Sequence, residues 1–252
     1  MHMASVNILD DAVSNDPPNP SLLRPWGFWA TLAWLVGACA IGAIASVALD
    51  ATWREMKVGP APLWVQDLSD RAFDFSVLIV LVAAVLITRL PVRQYLALVW
   101  PCECDVLIGL ACVAAAFAAD EVGMHVFGLG ITDYQDWVWF YRAALANGTL
   151  PLFWFNLLIV GPVGEEIVFR GFLYQGWSQS RLGTIGTILL TSVLFGLMHW
   201  TYSWIGIFSI FYFGLLVGWL RWRSGSLLVP MLVHFVCNLL FLIEVAIDVH
   251  RG

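Results

Sequence analysis

Seven residues in the C-terminal half of the chain have the types and spacing to activate water. Glu165 and Glu166 are adjacent, and Arg170 follows one helical turn later. Phe195 and His199 are four residues apart, and so are His234 and Asn238. All seven lie in or beside apolar runs, where an ionisable side chain is costly and needs a partner or a task. Adjacent side chains on a helix point in different directions, so the two glutamates cannot serve one partner equally. Glu166 and Arg170 share a face, with the acid N-terminal to the cation, which is the favourable order. This spacing predicts a Glu166–Arg170 clamp and a free Glu165, the carboxylate suited to act as a general base.

His234 and Asn238 project from one helix face and both can donate, as an oxyanion requires. The same spacing also fits a hydrogen-bond pair that holds helices together. His199 precedes Trp200 and Tyr202, so taken alone it also fits an interfacial residue. Read together, the residues describe hydrolysis. Glu165, helped by His199, deprotonates a water, the water attacks a peptide carbonyl, and His234 and Asn238 hold the oxyanion. No side-chain nucleophile is called for: G-x-S-x-G is absent, and no cysteine stands beside triad-like partners.

The elements that must position these residues are membrane helices. Of 252 residues, 60% are hydrophobic and 12% charged, against about 25% charged in a soluble domain. Mean hydropathy is +0.82. The 14 tryptophans suit bilayer interfaces, where a ring can be half wet. Apolar windows fall at 26–49, 73–90, 106–119, 150–168, 184–200, 204–220 and 226–247. A helix needs roughly 20 residues to cross the hydrocarbon. The fold class is therefore an all-α polytopic membrane protein of about seven transmembrane helices, with an eighth allowed. The window at 106–119 is short for a full span. Residues 1–25 read as a disordered polar tail, 26–149 as N-terminal helices with interfacial segments, and 150–247 as the helical core that carries the site.

Two linkers, 91–100 and 133–146, mix charges with aromatic and aliphatic residues and read as segments lying in the headgroup plane. Gly214 and Gly218 form G-x-x-x-G, a spacing that lets helix backbones approach. The five cysteines imply no disulfide framework, although Cys102 and Cys104 make a C-x-C pair.

The net charge of −6, with no basic run, argues against nucleic acid as a partner. The partners expected are lipid and a membrane-associated protein or peptide substrate. Arg24, Arg89, Arg93, Arg170, Arg181, Arg221 and Arg223 fall on one side of the expected topology, which favours a cytoplasmic N-terminus. The N-terminus lacks a basic n-region, and no organelle signal is found, which favours a prokaryotic plasma membrane over an internal one.

The motifs E-E-x-x-x-R, F-x-x-x-H and H-x-x-x-N, in this order on successive apolar segments, resemble those of the CPBP intramembrane glutamic endopeptidases. That family includes the CAAX prenyl proteases and the bacteriocin-processing Abi proteins. The resemblance covers roughly residues 150–245 and implies a four-helix catalytic core working without a cofactor. It implies Glu165 and His199 as the water-activating pair and His234 and Asn238 as the oxyanion hole. Glu166 and Arg170 would be structural partners of the site, with Phe195 part of the second motif. Two other classes fit the same residues. Glu165, Glu166, His199 and His234 could bind zinc, although H-E-x-x-H is absent. A transporter or a bacteriocin self-immunity protein would use intramembrane ionisable residues without chemistry.

Overall fold

The computed structural model describes residues 26–56, 63–127 and 134–251. The expected disordered tail at 1–25 lies outside them. Among the described residues there are helices and no strands. In chain order they are α1 (Phe28–Glu55), α2 (Leu63–Ile87), α3 (Val92–Tyr95), α4 (Glu103–Phe127), α5 (Tyr134–Ala146), α6 (Leu150–Ser178), α7 (Gly183–Met198), α8 (Trp204–Ser224) and α9 (Leu228–Arg251). The chain is an all-α integral membrane protein.

Each of the seven apolar windows lies on a helix. Four helices, α1, α6, α8 and α9, are long and apolar enough to cross a bilayer. The window at 106–119 is the middle of a 25-residue helix, α4, whose polar ends hid its length. Helix α7 is apolar but has 16 residues, about 24 Å at 1.5 Å per residue.

The ends of the site-bearing helices follow from local chemistry. Ser203 caps α8 by accepting from Gly206 N–H at 3.1 Å, and Gly225 ends the helix in the left-handed region at φ 64°. After two intervening residues α9 begins at Leu228, whose N–H donates to Ser226 Oγ. This tight turn sets α8 and α9 side by side.

Three apolar clusters hold the bundle. One joins α1, α2, α3, α6 and α7 through Ala38, Leu81, Tyr95, Phe172, Trp177 and Phe195. A second joins α4, α8 and α9 through Val113, Val217, Leu220 and Val233. A third joins α5 to α9 through Val138, Tyr141, Leu242 and Val245.

The two linkers behave differently. Helix α5 is amphipathic, with Trp139 and Phe140 exposed and Val138, Tyr141 and Ala144 turned inward. The segment 91–100 departs from the expectation of a headgroup-plane stretch. Its apolar residues Tyr95 and Leu96 are buried in the first cluster, with Tyr95 against Phe172. The backbone of this segment is tied to the start of α9, because Leu227 N–H donates to Ala97 O and Ser226 Oγ to Val99 O. Packing against α6 thus outweighs the interface for these side chains.

Candidate active site

Helix α6 carries both glutamates and is not regular. Residues Asn156–Val160 and Ile167–Leu173 are π-helical, and the α-helical stretch Gly161–Glu166 lies between them. Such segments recur at functional sites because they re-aim side chains and free backbone groups. The sequence supplies one cause. Gly161 N–H bonds Asn156 O, five residues back. The next donor in that register would pair with Leu157 O, but it belongs to Pro162, which has no N–H. Leu157 O instead accepts from Asn238 Nδ2 on α9 at 2.9 Å.

The second π segment shows the same pattern. Tyr174 N–H reaches back five residues to Phe169 O. Where a π register returns to an α register, one carbonyl loses its donor. Arg170 O accepts from Arg221 Nε on α8 at 3.0 Å, and the Arg221 guanidinium lies 4.9 Å from the Tyr174 ring centroid. A polar side chain from a neighbouring helix therefore fastens each π segment, and the glutamate pair sits between the two fastenings.

The buried centre is built on Glu166. Its side chain is 0% exposed and that of Arg170 is 1% exposed. Arg170 Nη1 donates to Glu166 Oε1 at 3.1 Å, and Nη2 donates to Gly214 O at 3.2 Å. Gly214 permits this approach: a Cβ there would lie 3.1 Å from Ser192 on α7. The same Glu166 Oε1 lies 3.0 Å from His234 Nδ1. The Arg170 guanidinium also stands 4.5 Å from the Phe195 ring centroid, a cation–π contact.

Glu165 has a different environment. It is 27% exposed, and its nearest ionisable neighbour is His234 Nε2, 3.8 Å from Oε2. His234 therefore stands between the two glutamates, with one ring nitrogen toward each. His199 is the C-terminal cap residue of α7, and its Nδ1 bonds Phe195 O at 2.9 Å. A carbonyl carries no proton, so Nδ1 is the donor and Nε2 of a neutral ring keeps its lone pair. The Phe195 ring touches both imidazoles edge-on, with centroids 5.2 Å from His199 and 6.1 Å from His234.

All seven residues singled out in the sequence thus lie on α6, α7 and α9, with α8 completing a four-helix core. Glu165, Glu166, Arg170, Phe195, His199 and His234 form one connected cluster. One pairing differs from expectation, and Asn238 shows one of the two readings its spacing allowed. The imidazole nearest Glu165 is that of His234 rather than His199, because the α6 face bearing Glu165 turns toward α9. Asn238 spends an N–H on Leu157 O, so it also acts as an interhelical tie. Sequence reasoning missed Arg221, the Leu157 carbonyl and the Gly214 carbonyl. Two signals were available: Pro162 inside an apolar run, and the close-approach glycine at 214. Among the described residues, no three His, Cys, Asp or Glu side chains are grouped as a metal-ligand set.

The structure is a membrane bundle with carboxylates, imidazoles and an amide gathered on three of its helices, α6, α7 and α9. Residues 147–240 match the family model described as type II CAAX prenyl endopeptidase Rce1-like, a similarity that supports the CPBP/CAAX protease family. The match spans all seven site residues. The chain is also similar to an uncharacterized 24.3 kDa protein of Escherichia coli, at 28% identity over 141 residues. That similarity covers 54% of this chain and 64% of the relative, so less than two thirds of the relative's length is spanned. No solved structure matches the chain.

Proposed function

We propose that the protein is an intramembrane endopeptidase that hydrolyses a peptide bond of a membrane-associated protein or peptide with an activated water. The observation that carries this reading is the contrast between the two glutamates. Glu166 is buried and doubly bonded, whereas Glu165 is partly exposed and its carboxylate makes no hydrogen bond among the described residues. A carboxylate held ready beside an imidazole is the arrangement a general base needs.

In this mechanism Glu165 takes a proton from water, and Nε2 of His199, left without a proton when Nδ1 donates to Phe195 O, is a second acceptor. The hydroxide attacks the scissile carbonyl. With Nδ1–H given to Glu166, His234 needs a second proton, on Nε2, to act as a donor in the reaction. Glu166, bonded to Nδ1, orients His234 so that Nε2–H can donate to the developing oxyanion. Asn238 keeps a second N–H for the same purpose. The proton on Glu165 then passes to the leaving amine. Arg170 holds Glu166 in place and takes no proton. The reaction as written needs no cofactor, and zinc is the lesser alternative.

The substrate class proposed includes CAAX-type prenylated chains and bacteriocin-like peptides. The membrane proposed is a prokaryotic plasma membrane. The test is purified protein in proteoliposomes, given a farnesylated peptide ending in CAAX, its unprenylated counterpart and a bacteriocin-type precursor. Cleavage of at least one by wild type, lost in Glu165→Ala, supports the reading. Equal cleavage by both proteins overturns it.

A further inference from the structure

The C-x-C pair plays no part in the site above. Cys102 and Cys104 are both exposed, and their sulfurs lie 3.1 Å apart. Glu103 and Asp105 alternate with them, and Asp105 pairs with Arg223 at 3.1 Å. So many charges mark the water side of α4. The other cysteines, Cys39, Cys112 and Cys237, are half-buried on apolar helices and have no sulfur neighbour of this kind among the described residues.

The position of Cys102 adds an independent observation. Its carbonyl accepts from Asp105 N–H at 3.0 Å and Val106 N–H at 3.4 Å, so it is the cap residue that opens α4. A side chain at that position faces the unpaired N–H groups of the first turn. The thiol of Cys104 and then the backbone N–H groups beside it hold the Cys102 pKa below its ordinary value. A thiolate at a helix N-terminus with a second thiol in contact is a nucleophile paired with a resolving group.

We propose that Cys102 and Cys104 form a redox-active dithiol that closes to an intramolecular disulfide on reaction with a low-molecular-weight disulfide. Cys102 Sγ attacks one sulfur of the reagent, forming a mixed disulfide and expelling one thiolate. Cys104 gives its proton to solvent and attacks Cys102 Sγ, expelling the second thiolate. The dithiol loses two electrons, and the reagent gains them as two thiols. This chemistry is independent of the peptidase reading.

The test is full-length protein in detergent micelles, exposed to oxidised glutathione and read by differential alkylation and mass spectrometry. Wild type should yield a Cys102–Cys104 peptide lighter by two hydrogens, reversed by dithiothreitol, while Cys39, Cys112 and Cys237 still alkylate. Cys104→Ser should stop at a glutathione adduct on Cys102. Cys102→Ser should slow reaction at Cys104 by about tenfold, because the attacking thiol at the helix cap is gone. Both side chains are exposed, so both variants should keep the wild-type melting temperature. Separate adducts on both wild-type thiols with no bridged peptide, or equal reaction of Cys104 with and without Cys102, would overturn the proposal.

Discussion

Glu166 Oε1 lies 3.0 Å from His234 Nδ1 and also accepts from Arg170 Nη1, so one buried oxygen joins a cation on α6 to an imidazole on α9. The bond orients His234 and leaves its other nitrogen facing Glu165 at 3.8 Å. The two adjacent glutamates therefore have different settings: one is buried and bonded to the imidazole, and the other is 27% exposed.

Breaking that buried centre should cost stability as well as activity. Removing one member of a buried ion pair typically costs about 3–5 kcal/mol, because the other charge is left uncompensated. Glu166→Ala and Arg170→Ala are each expected to lower the melting temperature in detergent micelles. The double substitution to methionine should be less destabilised than the sum of the two single changes. A wild-type melting temperature in both alanine variants would contradict the clamp.

Asn238 and Pro162 should be energetically coupled. Asn238→Ala leaves Leu157 O without a donor, at about 1–3 kcal/mol. Pro162→Ala restores an N–H in the register that could reach that carbonyl. The double variant is expected to be more stable than additivity predicts. Simple additivity in a thermal-denaturation cycle would show that the proline is not the reason Asn238 is needed.

Gly214→Ala tests the approach of α8. A Cβ at 214 would sit 3.1 Å from the Ser192 backbone, and the helices would have to separate or strain. Overpacking of this kind costs about 1–3 kcal/mol. It would also lift the carbonyl that Arg170 Nη2 uses. Lower stability and lower activity are expected together, and an unchanged variant by both assays would contradict the packing account.

Treatment with a strong chelator is expected to leave peptide cleavage intact, because each proposed step is carried by protein side chains and water. Loss of activity on chelation, restored by zinc alone, would favour the metalloprotease alternative.

The clamp of Glu166 by Arg170 was legible in the sequence, because four-residue spacing on a helix fixes which side chains meet. The helices themselves were legible from apolar run length. Helix α4 was underestimated because polar residues at its ends interrupt the run. The Glu166–His234 bond was not legible, since 68 residues separate the partners and only the packing of α6 on α9 brings them together. The π segments were not read either, although Pro162 inside an apolar window marks the first. Tyr95 and Leu96 looked interfacial from local composition, and only the tertiary fold buries them.

The most direct measurement compares the protein termini in membranes from cells producing wild type with those from cells producing Glu165→Gln at equal abundance. The account predicts a set of new termini in membrane-associated proteins with wild type, absent with the variant, while both proteins melt at the same temperature. The same termini at the same yield from Glu165→Gln would contradict it.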